Sequence, residues 1–167
     1  MVRVNFNLRK FELTDKQNLV EILNRTSVTQ YLSSKIPHPY TESDAEWWIC
    51  TGSLSGYVYA IELNNQLIGC IGVNPGEFEY SRSGEIGYWL SPDYWGKGIV
   101  TRAVNQVVEK MFSETELNRI YACVFSGNQG SMKVLTKCGF KLEAVFEKAI
   151  YKDGKFFDNH VFSQLES

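Results

Sequence analysis

Residues 85–100 read EIGYWLSPDYWGKGIV, and within them the hydrophobic period changes from that of a strand to that of a helix. Ile86, Tyr88 and Leu90 occupy alternate positions, as on one face of a strand, and Pro92 ends this pattern. The apolar positions that follow have helical spacing: Ile99, Val100, Ala103, Val104, Val107, Val108, Met111 and Phe112. The stretch predicts a strand that passes through a glycine-containing turn directly into a long amphipathic helix.

The sequence on both sides of this stretch predicts further strands and helices. A capping box over residues 14–17 and the pair Thr41 and Asp44 predict two helix starts. Turn residues at Asn64-Asn65 and Asp153-Gly154 predict two hairpins. The predicted strands are 2–11, 57–63, 67–73, 83–90, 119–125, 140–146 and 156–162, and a further helix is predicted over 128–138. The order β-α-α-β-β-β-α-β-α-β-β predicts a mixed α/β sheet.

Composition and length exclude several classes of protein. The chain has 167 residues with 17 basic and 19 acidic side chains, a formal net charge of −2, and a length that predicts one domain over residues 1–167. This balance argues against binding through a broadly positive surface, as in non-specific DNA binding. Without an apolar run of roughly 18 residues or a signal peptide, we expect a cytoplasmic protein with no membrane partner. The four cysteines are then expected to be reduced thiols.

The turn at Gly96-Lys97-Gly98 has the composition of a phosphate-binding loop. Glycines let backbone amides approach an anion, and the start of the following helix adds roughly half a positive charge. The turn is neither a Walker loop nor a dinucleotide fingerprint, because both need a different glycine spacing. A glycine-rich turn without a ligand is the alternative, and these residues alone do not decide between the two.

The segment from Ile86 to Val100 resembles the acetyl-coenzyme A (acetyl-CoA) loop of the GNAT acyltransferases, whose pattern is Gln/Arg-x-x-Gly-x-Gly/Ala. The rest of the chain is similar to the ribosomal-protein-alanine N-acetyltransferase (RimJ/RimL-type) branch. Its marks are Arg9-Lys10-Phe11, Pro39-Tyr40-Thr41, Asp44-Ala45-Glu46, Asn128 with Ser131, Lys137-Cys138-Gly139-Phe140, Lys148-Ala149-Ile150-Tyr151, Gly154-Lys155 and Asp158. This resemblance implies a GNAT-like α/β (α+β) fold, with a mixed, mostly antiparallel central sheet of about seven strands flanked by about four helices.

The resemblance also implies where acetyl-CoA binds. Trp89, Leu90 and Ser91 would contact its pantetheine arm, and the Leu90 amide would polarise the thioester oxygen. The pyrophosphate would be held by Trp95, Gly96, Lys97, Gly98, Ile99 and Val100. Asn128 would hydrogen-bond the cofactor, although the position also suits a plain helix N-cap. Trp95 and Val100 depart from the family pattern, which has Gln or Arg at its first position and Gly or Ala at its last.

The resemblance suggests Glu85 as general base, directly or through water, and Ser131 as the acid that protonates the leaving thiolate. Glu85 also suits a surface carboxylate on the polar side of its strand. Leu135 and Ile150 stand where relatives can carry a tyrosine and a carboxylate. Cys138 at a helix C-terminus and Cys123, expected as a small core residue, do not suit a nucleophile. We therefore expect direct transfer in a ternary complex, with no metal, since no cluster has metal-ligand spacing.

The expected function is transfer of an acetyl group from acetyl-CoA to a primary amine, above all the N-terminal amine of a ribosomal or other protein. Acetylation of a polyamine or aminoglycoside is one alternative, and a non-catalytic acetyl-CoA sensor is another. We expect no direct nucleic-acid binding, and either a monomer or a homodimer. The acceptor pocket is expected among the first two helices, the loop 37–39 and the hairpin 152–155.

Overall fold

The computed structural model describes residues 4–167, which form seven strands and five α-helices. The strands are β1 (Asn7–Arg9), β2 (Tyr57–Leu63), β3 (Gln66–Pro75), β4 (Ser83–Leu90), β5 (Arg119–Phe125), β6 (Lys141–Lys152) and β7 (Lys155–Leu165). The helices are α1 (Lys16–Leu23), α2 (Thr26–Thr29), α3 (Glu42–Cys50), α4 (Ile99–Glu114) and α5 (Gln129–Lys137). The helix α2 has a single turn and accounts for the difference from the four helices expected.

The sheet has the strand order β1-β2-β3-β4-β5-β7-β6. β4 pairs with β5 in parallel, whereas the pairings of β1 with β2, β5 with β7 and β6 with β7 are antiparallel. The expected mixed and mostly antiparallel sheet is therefore confirmed. The parallel register covers Ser83–Glu85 against Arg119–Tyr121, although the two strands continue to Leu90 and Phe125.

The described residues form two compact units. The first unit comprises residues 4–72 and Tyr88–Ala103, and its core includes Leu19, Ala45 and Ala60, which are completely buried. The second unit comprises Val73–Gly87 and Val104–Ser167. Its core is built from the apolar faces of α4, β5, α5 and β7, with Val104, Val107, Met111, Ile120, Leu135 and Phe162 among the buried side chains. The single domain expected over residues 1–167 stays a prediction.

The N-terminal elements differ from the sequence prediction. Of the strand predicted over residues 2–11, only Asn7–Arg9 pairs with β2, and residues 1–3 lie outside the described residues. The predicted capping box at Thr14 is wrong, because Asp15 accepts a hydrogen bond from the Glu12 amide at 2.9 Å. The carboxylate of Asp15 is buried, and both Arg9 terminal nitrogens donate to it at 2.8 Å. The helical segment therefore begins with a capping box from Glu12 to Asp15, two residues earlier than predicted, and Arg9 holds the capping carboxylate in place.

Both predicted hairpins are present, and backbone dihedral angles explain their turns. Asn64 and Asn65 have φ values of 50° and 61°, and Asp153 and Gly154 have 49° and 76°, as two-residue hairpin turns require. β7 is longer than predicted because it continues to Leu165, which pairs with Arg119 of β5. β6 is also longer than predicted, because its pairing with β7 continues past a bulge between Phe146 and Ile150. In that bulge Lys148 has a φ of 51°, and its amide donates to Asp158 Oδ1 at 2.8 Å.

Replacement of Asp15 by alanine tests the buried ion pair. The change leaves the Arg9 guanidinium, which also bonds Glu62, without its bidentate partner. We expect the free energy of unfolding to fall by about 2–4 kcal/mol, measured by urea denaturation. Glu46→Ala removes the exposed pair between Lys16 and Glu46 and should cost less than about 1 kcal/mol. Equal losses in the two variants would contradict a structural role for Asp15.

Candidate active site

The turn between β4 and α4 is shaped by two glycines with left-handed backbone conformations. Gly96 has a φ of 74° and Gly98 a φ of 70°, and an added Cβ at either position would meet no atom within 4 Å. The loop therefore has open space beside its backbone at the N-terminus of a 16-residue helix. Such a helix end attracts anions through its exposed amides and its dipole. These residues fit the pyrophosphate-binding role that the sequence suggests.

The end of β4 is held in place by hydrogen bonds within the first unit. The Ser91 amide donates to the Ile68 carbonyl of β3 at 2.8 Å. The indole of Trp95 donates to the Leu90 carbonyl at 2.8 Å. Trp95, which is half exposed, thus ties the loop to the strand instead of supplying the polar side chain that the family pattern has there.

The charged side chains of the loop contact the loop itself and Arg25, the residue before α2. Asp93 lies 2.9 Å from the Arg25 guanidinium, and the Ser91 hydroxyl donates to the same carboxylate at 3.3 Å. Lys97 donates to the Asp93 carbonyl at 3.0 Å, and its ammonium lies 5.1 Å from the centre of the Tyr94 ring. Arg25 therefore compensates a carboxylate that would otherwise repel an anion beside Gly96. Ile99 is buried and Val100 half-buried at the start of α4.

In the second unit, Asn128 caps α5, so the plain N-cap interpretation is confirmed. Its Oδ1 accepts from the Ser131 amide at 3.2 Å, and Ser131 is half-buried on the first turn. A cofactor contact by Asn128 and an acid role for Ser131 stay predictions. Leu135, one turn after Ser131, is completely buried. Its apolar side chain is part of the core of the second unit.

Glu85 lies on the open face of the sheet, beside Tyr121 in the parallel register. The next outward-facing residue of β5 is Cys123, which is exposed, so its prediction as a core residue is wrong. The reason is that Ile120, Ala122 and Val124 take the buried face of β5. Although the residue is exposed, its thiol is partly desolvated, and this raises the pKa of Cys123; the charge and hydrogen bond of Glu85 raise it further, against an opposing hydrogen bond from Asn159. The pKa of Tyr121 is also raised, by burial and by the charges of Glu85 and Cys123.

This face carries a cavity of about 320 Å³ that the sequence did not predict. Its lining includes Tyr80, Arg119, Tyr121, Cys123, Phe146 and Asn159. The residues come from β5, β6, β7 and the loop before β4, and only the long-range strand register brings them together. The alternation of Arg119, Tyr121 and Cys123 with buried residues was the one local signal of this surface.

The described residues contain no group of histidine, cysteine, aspartate or glutamate side chains that could hold a metal ion. No helix among residues 4–167 is long and apolar enough to cross a membrane.

Comparisons with known proteins identify the family. The GNAT acetyltransferase domain matches residues 5–141. The chain is 30% identical to p20 of Bacillus licheniformis, an uncharacterized N-acetyltransferase, over 95% of the chain and 92% of that protein. It is 27% identical to YdaF of Bacillus subtilis, named as a candidate ribosomal N-acetyltransferase, over 99% of the chain and 93% of that protein.

The fold also matches that of a solved GNAT acetyltransferase. A solved acetyltransferase of the GNAT family from Bacillus anthracis superposes with a TM-score of 0.85 at 25% identity, over 98% of this chain and 97% of that one. The chain therefore belongs to the GNAT acetyltransferases and is an acetyl-CoA-dependent N-acetyltransferase.

Proposed function

We propose that this enzyme acetylates the N-terminal amine of a protein or peptide, such as a ribosomal protein. The observation that carries the proposal is the exposed glycine turn at the start of α4 together with Glu85, which lies exposed in the register of β4 with β5. The relative YdaF, named for a ribosomal substrate, supports this class of acceptor. An α-amine has a pKa near 7.7–8.0 against about 10.4 for lysine, so it is much more often neutral at physiological pH and asks less of a base.

Acetyl-CoA supplies the activated acetyl group as a thioester. In our proposal the amides of Gly96, Lys97 and Gly98 and the start of α4 bind its pyrophosphate, with Trp95, Ile99 and Val100 completing the loop. Trp89, Leu90 and Ser91 contact the pantetheine arm, and Asn128 adds a hydrogen bond. The amide of Leu90 stabilises the negative charge that develops on the thioester oxygen.

The amine attacks the thioester carbon directly in our proposal. Glu85 removes a proton from the amine, directly or through water, and Ser131 protonates the departing thiolate. An acetylated cysteine is disfavoured, because burial and Glu85 raise the pKa of Cys123 and burial raises that of Cys138. Both thiols therefore stay protonated near neutral pH, and the protonated form is a weak nucleophile.

A panel of acceptors tests the proposed function. Release of coenzyme A thiol is followed with N-terminal peptides, polyamines and aminoglycosides, and we expect the highest kcat/KM with a peptide. Glu85→Gln should lower that value most strongly at low pH, where less of the amine is neutral. Activity confined to small amines would overturn the peptide proposal. Thermal stabilisation by acetyl-CoA without thiol release for any amine would instead identify a sensor.

Gly98→Ala tests the cofactor loop. The added methyl group meets no protein atom, but the left-handed conformation becomes strained by about 1–2 kcal/mol and the methyl occupies the open space beside the loop. We expect the Kd for acetyl-CoA to rise about tenfold in calorimetric titration. Gly154→Ala is the matched control, because Gly154 has a φ of 76° and the same open space at the β6–β7 turn. Both variants should lose similar stability, and equal acetyl-CoA affinity in the two would contradict the assignment.

The contact between Glu85 and Cys123 can be measured without activity. The thiolate is the form that iodoacetamide alkylates, so a lower pKa starts labelling at lower pH. Glu85→Gln removes a charge that raises the pKa of Cys123, and we expect its labelling midpoint to move to lower pH in peptide mass spectrometry. Cys70, whose burial raises its pKa to about 12, should stay unlabelled at neutral pH. Glu109→Gln, on an exposed position of α4, should leave the Cys123 midpoint unchanged, and an unchanged midpoint in Glu85→Gln would refute the contact.

A further inference from the structure

The last hydrogen-bonded pair between β5 and β7 is completed by a side chain. The antiparallel register pairs Phe125 with Asn159, and its continuation pairs Ser126 with Asp158. The Ser126 amide donates to the Asp158 carbonyl at 2.9 Å, as a hydrogen-bonded pair of this register requires. The returning bond from the Asp158 amide goes to the Ser126 hydroxyl, also at 2.9 Å. The hydroxyl therefore takes the place that the Ser126 carbonyl would have in a regular ladder.

This exchange occurs where the chain leaves the sheet. Gly127, the next residue, has a φ of 97°, a left-handed conformation that favours glycine. The Asn128 amide donates back to the Phe125 carbonyl at 3.0 Å, which closes the turn, and α5 begins at Gln129. The bonds between Ser126 and Asp158 thus fix the turn to β7 three residues before the helix begins.

Asp158 is also held by its side chain. Its Oδ1 accepts a hydrogen bond at 2.8 Å from the Lys148 amide in the bulge of β6. The backbone of Asp158 bonds the turn that follows β5, while its carboxylate bonds the strand on the other side of β7. Asp158 therefore links the bulge of β6 to the turn that carries Asn128.

The cap of α5 determines which end of the Asn128 side chain is available to a ligand. Its Oδ1 accepts from the Ser131 amide at 3.2 Å, so the oxygen is used within the helix. Among the hydrogen bonds within residues 4–167, the NH₂ group of Asn128 has no acceptor. An NH₂ group has two hydrogens to donate. Carbonyl and phosphate oxygens, both of which acetyl-CoA carries, are suitable acceptors for them.

We propose that Ser126 and Asp158 are positioning residues for acetyl-CoA binding, and that their hydrogen bonds hold the NH₂ group of Asn128 in place for an oxygen of the cofactor. The inference rests on the proposed function, in which Asn128 hydrogen-bonds acetyl-CoA. It adds two residues that act through Asn128. Residue 126 then needs a hydroxyl, and residue 158 needs a side-chain oxygen.

The Kd for acetyl-CoA, measured by calorimetric titration, tests this proposal. Asn128→Asp keeps an oxygen for the cap but removes the NH₂ donor, and we expect the Kd to rise about tenfold. Ser126→Ala leaves the Asp158 amide without its acceptor and should raise the Kd about fivefold. Ser126→Thr keeps the hydroxyl and should retain the wild-type Kd. The double variant Ser126→Ala/Asn128→Asp should match Asn128→Asp alone, because Ser126 acts through that donor.

Thr115→Ala is the matched control for a loss of stability. The Thr115 hydroxyl accepts from the Leu117 amide at 3.2 Å after the end of α4, so the change also removes a side-chain acceptor from a backbone amide. We expect Thr115→Ala and Ser126→Ala to lower the melting temperature similarly, with the Kd unchanged in Thr115→Ala. If Ser126→Ala does not fold, Asp158→Ala is the second variant. It should raise the Kd about fivefold, whereas Asp158→Asn, which keeps Oδ1, should not.

The outcomes separate this inference from the proposed function. If Asn128→Asp raises the Kd but neither Ser126→Ala nor Asp158→Ala does, the two residues are only structural and the proposed function stands. Additive effects in the double variant would also overturn the positioning role. An unchanged Kd in Asn128→Asp overturns the inference, while Gly98→Ala tests the glycine loop independently. Wild-type protein that does not bind acetyl-CoA overturns the inference and the proposed function together.

Discussion

Two parallel strands cannot be joined by a tight turn, and this constraint governs the centre of the molecule. The register of Ser83–Glu85 with Arg119–Tyr121 is the parallel pairing in a sheet whose other described registers are antiparallel. A parallel connection needs a crossover, usually a helix, and α4 fills that role. Its amphipathic face supplies buried residues such as Val104, Val107 and Met111. Between Leu90, where β4 ends, and Ile99, where α4 begins, the chain forms a 3-10 turn over Pro92–Tyr94 and then the glycine turn at Gly96–Gly98.

The sequence best predicted those strands and turns whose conformation is determined by residues within one short segment. Alternation predicted β4 and β5 at their observed bounds, and the asparagine pair and Asp153-Gly154 predicted the hairpins, because turn residues act locally. It predicted less well where a distant partner decides. Arg9 reaches Asp15 and moves the start of the helical segment away from Thr14. Cys123 lies on the open side of a strand, and only the packing of the neighbouring face determines which side that is.

The candidate site divides in the same way. The loop from Trp95 to Val100 could be identified from its glycines and from the helix that follows, since an anion cradle of backbone amides is contiguous in sequence. The lining of the cavity could not, because Asn159 of β7 and Phe146 of β6 come close to Tyr121 and Cys123 of β5 only through the registers of β7 with β5 and of β6 with β7. The net charge of −2 also gave no indication of an anion-binding loop. Arg25 compensates Asp93 there, and the balance of charge is reached locally.

The bulge in β6 affects whether a further strand can pair with this edge of the sheet. β6 is the last strand in the order, and an edge strand with regular, outward-facing amides is a template on which a further strand can add. At Lys148 the backbone turns left-handed, and its amide is taken up by Asp158 within the chain. An incoming strand would meet an interrupted ladder and a lysine at that position. The bulge thus hinders the addition of a further strand along the twelve-residue edge strand β6. The side chains of β6 on both faces of the sheet stay accessible.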